Sequence, residues 1–259
     1  MKMFVFHAST IHAANKASIV VGSPNEPIEL PVSYFLIEHE KGYVLFDTGH
    51  NLDTAKDLKN AVPEIIYNVF RPDAYEEGFV LNSLEKAGVK PEQITHVVCS
   101  HLHFDHAGGM GFFPNATYIV QRDELRCAYV PDPSIAFAYF KHDFDKDLNW
   151  TILDGWVDNC YDIFDDGKLI IYFTPGHSPG HQSLLVNLEK EGSFLLTSDA
   201  CYCAENLDEF KLPGIVDDEA AYLANLRVFK DMQKRGVKIV FGHDPEDWTT
   251  IKKFPEFYS

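Results

Sequence analysis

Residues 99–109 read CSHLHFDHAGG and place His101, His103, Asp105 and His106 within six positions, directly after the apolar run ITHVV. With histidine at 12 of 259 positions, three at these offsets are expected by chance roughly 0.025 times in such a chain, before the aspartate is required. A lone histidine after a strand reads most simply as a hydrogen-bonded core or surface residue. Four donors this close call for one shared ligand, and a metal is the first candidate. The stretch also constrains the fold. The strand must end at a sheet edge, Gly108-Gly109 must free the chain beyond it, and other strands must bring further donors to that edge, because one loop cannot close two coordination spheres.

His101 and His103, at i and i+2, project to one side of an extended segment and can share an ion, while Asp105 and His106 continue around the turn and can serve a second. Imidazole and carboxylate donors suit Zn²⁺, with Fe, Mn or Co chemically admissible. Donors recur just past other apolar runs: His177 and His181 in FTPGHSPGHQS, Asp199 in LLTSDACY, and His243 in KIVFGHDP. Any one alone could be a capping or hydrogen-bonded side chain; the repeated placement at strand ends carries the weight.

Strand patterns fall at residues 3–7, 32–39, 43–49, 94–100, 117–121, 168–174, 182–188, 193–199 and 237–243. Helical spacing with terminal glycines marks 76–88 and 217–236. Strands with interspersed helices, lacking a strict βαβ alternation, predict central sheets covered by helices in one domain over 1–259. Residues 122–156 are aromatic, proline-punctuated and poorly periodic, and are expected to form a loop or helical excursion near the site.

A formal net charge of −17 opposes a nucleic-acid or anionic-membrane partner, since such surfaces concentrate Lys and Arg. No stretch approaches the roughly 18 apolar residues of a membrane helix. The first residues lack a signal-peptide pattern, and five cysteines without a CxxC pair indicate free thiols, so a cytoplasmic protein is expected.

The segments SHLHFDHAGG, TPGHSPGHQSLL, LLTSDACY and GHDPEDW resemble the metallo-β-lactamase superfamily, and within it the N-acyl-homoserine lactone and γ-butyrolactone hydrolase branch. The likeness continues through IELPVSYFLIEH, VLFDTG, FPNATYIVQRDE and FPEFY. It implies an α+β fold, an αββα sandwich with two central mixed sheets flanked by helices. It further implies a quorum-quenching lactonase with two Zn²⁺ per chain, one held by His101, His103 and His181, the other by Asp105, His106 and His243, with Asp199 bridging. On the same resemblance His177 shapes its loop without ligating, Asp47 supports the metal loop, Tyr202 serves as active-site donor, Asp105 is a candidate to protonate the leaving alkoxide, and the protein forms a homodimer acting on a small lactone. Two cations about 3.5–4 Å apart lower the pKa of a bridging water toward ~7, so no side-chain nucleophile is needed. Aromatic and aliphatic residues in 60–70 and 129–140, among them Ile65, Ile66, Phe70, Tyr129, Phe137, Tyr139 and Phe140, could line an acyl groove or be core.

Three other readings compete. A thioester hydrolase of the glyoxalase II kind carries a further C-terminal helical region, for which the residues after His243 leave little room. A mononuclear iron dioxygenase would have no use for Asp105, His106 and His243 as a second donor set. A phosphodiesterase is opposed by the charge.

Overall fold

The computed structural model describes residues 1–259. Seven strands, β1 (Lys2–Ala13), β2 (Ile28–His39), β3 (Gly42–Phe46), β4 (Phe70–Ala74), β5 (Ile94–Val98), β6 (Thr117–Gln121) and β7 (Trp150–Leu153), form a mixed sheet in the order β4-β1-β2-β3-β5-β6-β7. Five more, β8 (Cys160–Asp162), β9 (Leu169–Phe173), β10 (Gln182–Leu188), β11 (Gly192–Ser198) and β12 (Lys238–Phe241), form a second in the order β12-β11-β10-β9-β8.

Period-two alternation sorts the strand side chains into layers. Val5, Phe35, Ile37, Val44 and Phe46 point from the first sheet into a shared core with Ile171, Leu184, Val186 and Leu196 of the second. Their sequence neighbours Phe6, Tyr34, Leu36 and Leu45 face the other way, onto Val62, Ile66, Val80 and Leu84 of the helical segments. On the far side, Leu185, Leu195 and Ile239 meet Tyr222, Leu226 and Phe229 of helix Glu219–Lys234. Asp218 caps that helix by accepting from the Ala221 N–H at 3.0 Å. Burying each such side chain is worth roughly 1.5–3 kcal/mol, well above the few tenths that local propensity contributes per residue. The two inner sheets with helices outside are the αββα arrangement expected.

Each strand expected from the sequence is present, and β4, β7 and β8 are additional. All three are edge strands; β4 carries Pro72, which an edge tolerates, and β8 is largely exposed, so neither shows apolar alternation. The 122–156 segment departs from a simple excursion: it opens with helix Arg122–Tyr129 and ends in β7, paired parallel to β6. The 76–88 helix is a 3-10 turn at Glu76–Gly78 followed by an α-helix at Val80–Lys86. No helix is long and apolar enough to cross a membrane.

β3 and β5 run parallel, as do β11 and β12, so the chain leaves each pair at a common edge. There Asp47 and Ser198, immediately after β3 and at the end of β11, adopt φ values of 60° and 46°. Two of the chain's four non-glycine residues with positive φ thus stand at one edge, held there by the surrounding structure.

Candidate metal centre

At that edge two donor groups lie side by side. One contains His101, His103, His177 and Asp199; the other contains Asp105, His106 and His243; within each, the donor atoms lie within 4.8 Å of one another. Asp199, just after β11, joins them. Its Oδ2 lies 3.3 Å from His177 Nε2 and 3.8 Å from His101 Nε2, while its Oδ1 lies 3.2 Å from His106 Nε2 and 3.1 Å from His243 Nε2.

The supporting contacts orient the rings. Asp47 Oδ1 accepts from the Ser100 N–H at 2.7 Å, and Oδ2 lies 2.9 Å from His106 Nδ1. Pro31 O accepts from His243 Nδ1 at 2.9 Å, and Ser100 Oγ stands 3.0 Å from His101 Nδ1. Each fixes one ring nitrogen and leaves the other free for the centre. The Nε2 atoms of His101, His103 and His106, with Asp199 Oδ1, are buried and lack hydrogen-bond partners. Buried polar atoms are rarely left so. Orphaned nitrogens beside ionised carboxylates fit divalent cations held by N/O donors.

Charge is distributed accordingly. Burial and the neighbouring imidazoles push His101 well below its ordinary pKa, and burial takes His103 down to about 3. Burial also works against a charged His106, but the carboxylates of Asp105, Asp199 and Asp47 outweigh it and hold that ring well above its usual value. For Asp199, burial is outweighed by His106, His243 and His177, and for Asp105 mainly by His106; both stay ionised below the usual carboxylate range. An ionised Asp105 would first have to take up a proton before it could protonate a leaving alkoxide.

The turn TPGHSPGH brings both of its histidines to this edge. Both ring nitrogens of His177, expected to shape the loop, have neighbours: Nε2 lies 3.1 Å from His103 Nδ1 and 3.3 Å from Asp199 Oδ2, and Nδ1 lies 3.1 Å from the Tyr202 hydroxyl. His177 sits on the turn after β9. His181 is held at its base: its carbonyl accepts from the Thr174 N–H at 2.9 Å, and its Nδ1 lies 2.9 Å from Thr174 Oγ1. Its Nε2 is buried and unpaired, so His181 shows the same arrangement of one fixed and one free ring nitrogen as His101 and His106.

Tyr202 lies over the same edge, its hydroxyl 3.1 Å from His177 Nδ1 and its ring stacked on His243 at 5.4 Å. Burial, then Asp199, pushes the phenol well above its usual pKa, so it remains a donor. Tyr202 also borders a cavity that opens onto His103, Asp105, His177, Asp199 and His243. Its walls are apolar, with Ile11, Ile19, Leu30, Phe70, Phe104 and Phe137. Of the groove candidates, Phe70 and Phe137 line it. Ile66 is core, Ile65 and Tyr129 are exposed, Phe140 stacks on Phe104, and Tyr139 packs edge-on to His103 at 4.6 Å. Cys201 is packed below with Leu207 and Tyr222.

Two buried residues escaped the sequence reading. Glu124, on helix Arg122–Tyr129, accepts hydrogen bonds from the loops on both sides of the centre. His50 bonds Ser9 Oγ at 2.9 Å, and burial pushes it down to about 4. Glu124 lies in a stretch without clear periodicity, and His50 stands outside any donor pattern; neither carries a sequence signal.

Residues 27–243 match the family described as the metallo-beta-lactamase superfamily. The chain is 41% identical over 235 residues to the N-acyl homoserine lactonase AttM of Azorhizobium caulinodans, covering 89% of this chain and 88% of that protein. It is 35% identical over 236 residues to the N-acyl homoserine lactonase AiiA of Bacillus thuringiensis subsp. kurstaki, covering 91% and 90%. Among solved structures, an N-acyl homoserine lactone hydrolase with N-hexanoyl-L-homoserine bound at its catalytic metal centre superposes with a TM-score of 0.88 at 32% identity, covering 99% of this chain and 98% of that one.

Proposed function

The chain belongs to the metallo-β-lactamase superfamily, and from that premise we propose that it is a two-zinc lactonase that opens the ester bond of an N-acyl-homoserine lactone or related γ-lactone. The observation that carries this is Asp199, one oxygen turned to each donor group at the floor of an apolar cavity. His101, His103, His181 and Asp199 would hold one cation, with His177 bracing the Nδ1 of His103; Asp105, His106, His243 and the other Asp199 oxygen would hold the second. Bound there, a cation pair supplies Lewis-acid polarisation of the ester carbonyl and a water acidified toward neutral pKa.

The protein's own groups do the remainder. Asp47, Pro31 and Ser100 hold the rings in register. The Tyr202 hydroxyl, kept protonated, is placed to donate to the oxygen on which negative charge develops as the ring ester is attacked. Asp105 acts as a ligand. The apolar walls take an acyl chain and keep bulk water from the ester, which suits a neutral lactone better than an anionic phosphodiester. The product names of the similar lactonases point to the same substrate class.

A proton-release assay with γ-butyrolactone, short and long acyl-homoserine lactones, a thioester and a β-lactam, run beside metal analysis, tests this. Lactone opening with about two zinc per chain is expected. Thioester turnover without lactone turnover, or one iron with oxygen consumption, would overturn it.

A further inference from the structure

Glu124 is 0% exposed, and its carboxylate accepts four hydrogen bonds. Oε1 takes the Leu102 N–H at 2.9 Å and the Tyr139 hydroxyl at 3.2 Å; Oε2 takes the Ser178 hydroxyl at 2.6 Å and the Gly180 N–H at 3.3 Å. Four donors match the roughly four lone-pair sites of an ionised carboxylate. Leu102 stands between His101 and His103, and Ser178 follows His177. The Tyr139 ring packs against His103. The turn is closed tightly onto the helix: a Cβ at Gly180 would lie 2.1 Å from the Glu124 backbone nitrogen. No Lys, Arg or His pairs with this carboxylate, and it touches no ligating atom. The other donor group is held differently, His106 by Asp47 and His243 by the Pro31 carbonyl.

We propose that Glu124 is a positioning residue that sets the spacing between the His101–His103 loop and the His177–His181 turn, and so tunes the affinity of the His101/His103/His181 site without governing the Asp105/His106/His243 site. The inference rests on the ligand sets proposed above. Glu124→Gln is a close test of it. The amide keeps the volume and one acceptor, but whichever way it turns its NH₂ faces a pair of donors.

The experiment is equilibrium competition for Zn²⁺ between the metal-free full chain and a chromophoric chelator, with circular dichroism confirming that each variant folds. The parent should bind zinc in two steps. Glu124→Gln should weaken one step by about 10–100-fold, the scale for a residue that orients ligands, and leave the other within about threefold. His181→Ala should abolish the step that Glu124→Gln weakens, and His243→Ala should abolish the other. Ser178→Ala, which removes one of the four donors, should show a smaller loss in the Glu124 step and serves if Glu124→Gln does not fold. Parent-like binding by the folded Glu124 or Ser178 variant, or equal weakening of both steps, overturns the proposal. A parent that binds no zinc would overturn the two-metal reading as well, so the two failures are told apart.

Discussion

His177 Nε2 lies 3.3 Å from Asp199 Oδ2, whereas His181, four residues on, turns its Nδ1 into Thr174 Oγ1 at 2.9 Å. Thr174 thus fixes one nitrogen of His181 and leaves its buried Nε2 for the centre, while His177 has its nitrogens against His103 and Tyr202. His181→Ala is expected to lose about one metal per chain and to lower lactone turnover by roughly 10²–10³-fold, since a cation's Lewis-acid contribution is worth several kcal/mol. His177→Gln should retain about two metals. Metal analysis beside steady-state kinetics checks this, and the reverse pattern would make His177 the ligand.

The Tyr202 hydroxyl touches His177 Nδ1 at 3.1 Å, borders the cavity and stays protonated. If its work is donation to developing charge, Tyr202→Phe lowers kcat by about 10²-fold with KM little changed and metal content intact. A variant that loses metal along with rate would show instead that Tyr202 serves to hold His177.

Much of this is legible in the sequence. The apolar strands alternate strongly enough to place their ends, and His101, His103, Asp105, His106, Asp199 and His243 all lie at or just past one. The remainder depends on tertiary closure. How the TPGHSPGH turn seats its two histidines depends on the close approach of Gly180 to Glu124 and on the contact between Thr174 and His181. Edge strands such as β4 and β8 bury too little to leave a pattern, and Glu124 and Asp143 are carboxylates that a sequence reading assigns to solvent.

Because the free Nε2 atoms at the centre are buried without partners, ion removal should cost stability. A ligand at about 100 times its Kd contributes about 2.7 kcal/mol, equivalent to roughly 5–10 °C in a domain of this size. Chelation is expected to lower Tm by about that amount, with Zn²⁺ restoring it. Calorimetry with and without added metal measures the difference; an unchanged Tm at full metal loss would show that the centre contributes nothing to folding.

Asp143 is nearly fully buried on a short helix. Asn51 Nδ2 donates to its Oδ1 at 3.1 Å, and its Oδ2 has no partner. Burial raises its pKa to about 6, against the pull of His142. The folded value exceeds the unfolded one, near 3.9, so the folded chain binds this proton more tightly. Its contribution to stability is full below about pH 4 and is lost as pH rises through about 6, a cost near 3 kcal/mol at neutrality. Asp143→Asn should therefore stabilise the chain by about 2–3 kcal/mol at pH 7.5 and by little at pH 4. Urea unfolding at both pH values tests the sign; an equal gain at both would assign the effect to packing.

The apolar cavity wall makes a length-dependent demand on substrate. Each methylene that leaves water for the surfaces of Ile11, Leu30, Phe70 and Phe137 is worth about 0.8 kcal/mol, or roughly fourfold in kcat/KM. Lactones of increasing acyl length should gain by about that factor per carbon until the apolar wall is covered, and then level off. Phe137→Ala should flatten this slope for long acyl chains and leave γ-butyrolactone turnover nearly unchanged, because the bare ring does not extend to the wall. Kinetics over the series decides the point: a uniform loss for all lactones would place Phe137 in the framework of the centre, and a flat parent series would remove the acyl chain from the cavity.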